Sequence, residues 1–133
     1  MAGIITLTTD FGTSDAYVAA MKGVILGINP EVTLVDITHE IAPQAVPSGA
    51  FVLSAAYSFF PPGTIHIAVV DPGVGTERRS LILCTSDAFF IAPDNGILSY
   101  VLADHAPVPG QFRPRAQPFA VSDVSLSAGL AAY

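Results

Sequence analysis

The chain has 133 residues, the size of one domain, and 51% of them are apolar while only 12% are charged. That composition excludes a disordered chain, and a net charge of −6, from eleven acidic and five basic residues, excludes the cationic footprint of a nucleic-acid or anionic-membrane binder. A single cysteine, Cys84, excludes an internal disulfide and a multi-cysteine metal centre.

The apolar surplus is more than a lone domain of this size readily covers, so a second domain or a partner subunit is expected against it. The opening stretch MAGIITLTTDFG has no basic n-region and is not read as a signal peptide. No apolar run approaches the ~20 residues of a membrane span. The expectation is a soluble, cytoplasmic protein.

In chain order, Ile4 to Thr9 is β-branched and apolar and predicts a strand. A polar turn, Asp10 to Asp15, leads into a helix expected from about Asp15 to Asn29, with Tyr17, Met21, Val24, Ile25 and Ile28 on one stripe. Pro30 lies beyond its end. Val32 to Ile37 predicts a second strand, and Pro47 opens a helix to Phe60 that Pro61-Pro62-Gly63 stops. Thr64 to Val70 is apolar at nearly every position, as in a strand buried on both faces. Ser80 to Thr85 and Ala88 to Ala92 flank Ser86-Asp87 as a hairpin. Asp94-Asn95-Gly96 starts a short helix through Ala103, Pro107 to Pro118 is loop, and Ser122 to Tyr133 is a helix without a terminating signal.

Alternating strands and helices predict an α/β fold with a mainly parallel sheet layered between helices. In such sheets ligands bind outside the carboxyl ends of the strands. Asp10 follows the first strand, Asp71 the third and Asp94-Asn95 the fifth. If those strands are parallel, the three share one edge, as an acidic and amide-lined pocket suited to hydroxyls, a cation, or both.

Each of these residues also has an ordinary structural role open to it. Asp10 is a common turn former, and Asp15 can cap a helix. Asp71 and Arg78 can pair across a loop. The glycine-rich stretch Gly73 to Arg78 lacks the third glycine of a dinucleotide fingerprint and the Gly-Lys-Ser/Thr of a P-loop. His39, His66 and His105 have no metal-ligand spacing, so no metal is expected. His66, inside an apolar strand, is expected to be a hydrogen-bonded core histidine, and Cys84 a buried small hydrophobe.

The stretches TLTTDFGTSDAYVAAMKGVI, DITHEI, FPPGTIHIAVVDPGVGTERR and APDNGIL, in order between about Ile4 and Leu102, resemble the S-adenosyl-L-methionine hydrolases. These are also called SAM hydroxide adenosyltransferases, and they are relatives of the bacterial fluorinase and chlorinase. The resemblance implies an N-terminal Rossmann-like α/β domain for residues 1–133, cut at its C-terminal end, with the family's C-terminal β-barrel domain absent from this chain. It implies a homotrimer with substrate held between neighbouring subunits. It also implies hydrolysis of S-adenosyl-L-methionine to adenosine and L-methionine, with no cofactor beyond that substrate.

By the same resemblance, Asp71 and Arg78 match the catalytic Asp and Arg. Asp10 matches the Asp that holds the ribose hydroxyls, Asp15 a residue near the methionine amino group, and Asn95 the Asn of a nucleoside-contacting turn. The family's catalytic His belongs to a TFHGRD-like segment not found here. The halogenating relatives have Tyr in place of Asp71 and do not keep the Arg. A SAM-dependent halogenase and a non-catalytic adenosine-binding fragment stand as the alternatives.

Overall fold

The structure is a computed structural model that describes residues 3–73, 79–105 and 117–120. Among these, β1 (Ile4–Thr9), β2 (Thr33–Thr38), β3 (Thr64–Val69), β4 (Ser80–Cys84), β5 (Ala88–Pro93) and β6 (Gln117–Ala120) form one six-stranded sheet in the order β2-β1-β3-β5-β4-β6. β2, β1, β3 and β5 run parallel, β4 lies antiparallel to β5, and β6 antiparallel to β4. The expected mainly parallel α/β sheet is present.

The helices are α1 (Tyr17–Ile28), α2 (Val46–Ala56) with a 3₁₀ turn at Tyr57–Phe59, and α3 (Ser99–Asp104). Two registers fix the layers. Thr6 pairs with His66 along β1 and β3, and Leu7 pairs with Ile67. Successive side chains alternate between faces, so Thr6, His66, Ala68 and Val70 share one face. Ala50 and Leu53 of α2 and Val101 of α3 pack with Ala68, Val70 and Phe90 in the main core on that face. Lys22 of α1 reaches Asp36 of β2, on the other face. α1 and α2 therefore flank the sheet on opposite sides, as right-handed crossovers require when β2 and β3 lie on either side of β1.

α2 approaches the sheet closely at Gly49, where a Cβ would stand 3.1 Å from a Val70 methyl and 3.2 Å from Ile97 Cδ1. That contact seats α2 beside the last turn of strand before Asp71.

Several boundaries differ from the sequence reading. α1 begins at Tyr17 because the Asp15 carboxylate accepts the Tyr17 amide (3.1 Å) in a turn ahead of the helix. α3 begins at Ser99, since Gly96 takes a φ of 91° and keeps Asp94–Leu98 in turns. Gln117 and Pro118, expected as loop, belong to β6, at the edge of the described sheet, where a proline is tolerated. Only one face of β3 is fully buried, because α2 and α3 cover that face, while Ile65, Ile67 and Val69 are half-buried. Cys84 is likewise only partly buried. The helix expected over Ser122 to Tyr133 lies outside the described residues.

Candidate active site

The order β1-β3-β5 at the centre of the sheet sets Asp10, Asp71 and Asn95 at the carboxyl ends of three neighbouring parallel strands. The chain leaves β1 toward β2 on one side and returns to β3 on the other. The carboxyl edge between β1 and β3 is thus the topological switch point, where a crevice opens in doubly wound sheets. The shared edge expected from sequence is realised for these three residues.

Each is held differently. Asp10 Oδ2 accepts the backbone amide of Gln44 at 2.8 Å, and Gln44 sits in the left-handed region with φ 62°. That conformation disfavours a non-glycine residue, so the Asp10 carboxylate helps hold a strained turn just ahead of α2. An ionised carboxylate offers about four acceptor positions, which leaves Asp10 capacity for a ligand's hydroxyls. Gly12, two residues on, has φ 71° and donates its amide to the His39 carbonyl at 2.7 Å.

Asp71 Oδ1 accepts the Gly73 amide at 2.9 Å, closing a tight turn directly after β3. Asn95 donates from Nδ2 to the Val70 carbonyl at 2.7 Å and accepts the Ile97 amide at Oδ1 (3.1 Å). It therefore ties the end of β5 to the residue preceding Asp71. Asp15 is exposed, and its described bond is the turn contact with Tyr17. Arg78 lies outside the described residues. Its neighbour Arg79 is exposed, and the Arg79 carbonyl accepts the Asp94 amide at 2.9 Å, which brings that loop's return beside the Asn95 turn.

The sequence reading missed a second tier beneath Asp10. His39 is buried, with Nδ1 2.8 Å from Thr9 Oγ1 and Nε2 2.8 Å from Asp36 Oδ1. Asp36 also accepts from Lys22 Nζ at 2.7 Å. Burial pushes the Asp36 carboxyl up, but the hydrogen bonds and charges of Lys22 and His39 outweigh it and hold the group below its ordinary value. The Asp36–His39 spacing within DITHEI was the available signal. Among the described residues no group of His, Cys, Asp and Glu is arranged to hold a metal ion, and no helix is long and apolar enough to cross a membrane.

Comparison with known proteins adds to this geometry. The sequence model of the SAM hydroxide adenosyltransferase N-terminal domain matches residues 5–122. An (R)-S-adenosyl-L-methionine hydrolase of Methanocaldococcus jannaschii is 50% identical over 103 residues, covering 74% of this chain and 39% of the relative. A fluorinase of an Actinoplanes species is 34% identical over 125 residues, covering 77% of this chain and 42% of the relative. The chain thus spans about two-fifths of the length of these curated relatives. A crystal structure of a conserved hypothetical protein from Thermus thermophilus superposes with a TM-score of 0.77 at 30% identity, covering 98% of this chain and 51% of that one. Since the family's sequence model covers most of its length, the chain belongs to the SAM hydroxide adenosyltransferase N-terminal domain family.

Proposed function

We propose that this chain supplies the nucleoside-binding and water-orienting part of an enzyme that hydrolyses S-adenosyl-L-methionine to adenosine and L-methionine. The observation that carries the reading is the placement of Asp10, Asp71 and Asn95 on one edge of the sheet, at its switch point. The names of the hydrolase relatives, at 38–50% identity, support it over the more distant fluorinases, at 31–34%.

In the proposed reaction a water oxygen attacks the 5′ carbon of the sulfonium in line with the leaving group. The C5′–O bond forms, and the C5′–S bond breaks with its electron pair going to sulfur. The products are adenosine, neutral methionine thioether and one proton. The leaving group needs no general acid. The requirement is an aligned nucleophile shielded from bulk water.

Asp71 accepts a hydrogen bond from that water and takes up charge as the transition state forms. Arg78, permanently protonated, stabilises the negative charge that develops on the oxygen. Asp10 receives the two ribose hydroxyls, Asp15 faces the ammonium end and Asn95 borders the nucleoside. No cofactor or metal takes part. The full assembly on this reading is a cytoplasmic homotrimer.

The test is to incubate the complete protein with S-adenosyl-L-methionine in the presence of chloride and to identify the products by mass spectrometry. Equal amounts of adenosine and methionine are expected. 5′-Chloro-5′-deoxyadenosine would assign a halogenase instead, and adenosine binding without turnover would assign a non-catalytic module. Asp71→Asn keeps the shape of the side chain but cannot take charge, so turnover per folded subunit should fall by ~10²–10⁴-fold, the usual worth of general-base help. Adenosine affinity should stay within a few-fold. Near-normal turnover in that variant would remove Asp71 from the chemistry.

A further inference from the structure

Thr9, His39, Asp36 and Lys22 form one continuous line of hydrogen bonds beneath the Asp10 loop, of 2.8, 2.8 and 2.7 Å. The line fixes its own proton order. Asp36 is a carboxylate held in its ionised form by Lys22 and His39, so it can only accept, and His39 Nε2 must donate to it. In the neutral ring Nδ1 is then an acceptor, and the Thr9 hydroxyl donates to it. Thr9 Oγ1 keeps lone pairs to accept, and it takes the Phe11 amide at 3.2 Å. The His39 carbonyl takes the Gly12 amide at 2.7 Å, and the Thr9 carbonyl takes the Ile41 amide at 3.4 Å. Every polar atom in the line has a partner of the right sense, and the side chain of His39 is only 3% exposed.

The result is that the two loops at the switch point are fastened to one another around a single imidazole. One loop follows β1 and carries Asp10. The other follows β2 and carries Gln44, whose amide Asp10 grips. The anchor of the line is the Asp36–Lys22 ion pair between β2 and α1, the two elements that flank these loops. A packed scaffold needs none of this polarity, since an apolar side chain at 39 would fill the same space without requiring partners. Directional bonds set the position of a backbone more narrowly than apolar contacts do.

We infer that His39 is a positioning residue for the ligand edge: held between Asp36 and Thr9, it fixes the Phe11 and Gly12 amides and so presets the Asp10 carboxylate for two vicinal hydroxyls of a ribose. This inference rests on the reading of Asp10 as the ribose-binding residue. It makes affinity for a nucleoside depend on Thr9 and His39, neither of which touches the ligand.

The experiment measures adenosine affinity by calorimetry in the complete protein for Asp10→Asn, Thr9→Val, Thr9→Ser, His39→Leu and the double variant Thr9→Val/His39→Leu, with melting temperature recorded for each. Thr9→Val keeps the shape and removes the hydroxyl. It should weaken adenosine binding about tenfold, the order expected when a buried donor and acceptor lose their partner. Thr9→Ser restores the hydroxyl and should return the affinity to within about twofold of the parent. The double variant should lose no more than the worse single one, since both break the same line. A variant that melts earlier but binds adenosine as the parent does would overturn the positioning role. If Asp10→Asn itself leaves affinity unchanged, the ribose assignment has failed, and the positioning role with it. If Asp10→Asn weakens binding and Thr9→Val does not, only the positioning role has failed. Should Thr9→Val not fold, ¹⁵N resonances of the His39 ring in the parent protein decide. A proton on Nε2 is required, and a ring unprotonated at Nε2 overturns the inference.

Discussion

His39 and His66 are both buried, and each sets its Nδ1 within hydrogen-bond distance of a threonine of β1, Thr9 at 2.8 Å and Thr6 at 2.7 Å. They lie on opposite faces of that strand and at different levels along it. The difference is at the second nitrogen. His39 Nε2 meets the Asp36 carboxylate. His66 Nε2 is buried with no hydrogen-bond partner among the described residues. It stands inside an aromatic cage: Phe90 stacks on the ring at 5.0 Å, and Phe60 and Tyr57 present edges at 5.6 and 6.1 Å. Burial in that cage lowers the His66 pKa from 6.5 to about 4. Tyr57 shares the setting, and its hydroxyl is pushed up to about 12 by burial and by its bond to Asp104. One residue type bonded to one strand thus serves two ends. At the carboxyl edge its polarity organises a loop, and nearer the amino end its ring fills a core.

That contrast can be broken from the His66 side first. Phe90 is fully buried and lies against both the His66 and Tyr57 rings. Phe90→Ala should cost about 3–5 kcal/mol of stability, the range for emptying a large aromatic site. Adenosine affinity per folded molecule should be unchanged. Chemical denaturation and calorimetry on the same samples check both halves, and a selective loss of affinity would tie the cage to the ligand edge.

Acid provides the next test. A histidine whose folded pKa is depressed is neutral in the fold but takes a proton when unfolded. Between pH 6.5 and about 4 the unfolded chain therefore binds the extra proton at His66, and stability falls as pH falls through that window. Above 6.5 both states are neutral at this position and its effect vanishes. The loss should approach about 3 kcal/mol at the acid end, from the linkage of one pKa shift to stability. His66→Leu should flatten this part of the stability profile measured by denaturation at several pH values. An unchanged slope in that variant would assign the acid sensitivity elsewhere.

The smallest effect sharpens the His39 side. Lys22 and Asp36 are about a third or more exposed, at 32% and 40%, so their ion pair is well screened. Lys22→Met should cost under about 1 kcal/mol of stability. Adenosine affinity should fall less than in Thr9→Val, because Asp36 still receives the His39 proton. A larger fall in affinity for Lys22→Met than for Thr9→Val would show that the ion pair, and not the bond between His39 and Thr9, sets the position of the loop.

Much of this was legible in the chain. The β-branched run at Ile4–Thr9 became β1 at the same residues, and the core role of His66 followed from its apolar strand. Asp10, Asp71 and Asn95 were readable as strand-end residues, and the fold brings all three to one edge. Asp15 kept its local role in the turn ahead of α1, and Arg78 is outside the described residues. The grip of Asp10 on the Gln44 amide was not readable, since no pattern marks a glutamine at φ 62°. Nor was the bond from Asn95 to the Val70 carbonyl, 25 positions earlier in the chain.

The sequence by itself determined the periodicities, the turn chemistry and the family motifs, because each depends on neighbours within a few residues. The tertiary structure alone decided which strand ends became neighbours and which face each histidine met. Those outcomes depend on the order in which strands join the sheet, and partners such as Thr6 and His66 stand 60 residues apart. A contact at that separation exists only where the strands have joined, whereas the bond of His39 Nε2 to Asp36, three positions earlier, was within reach of the local sequence.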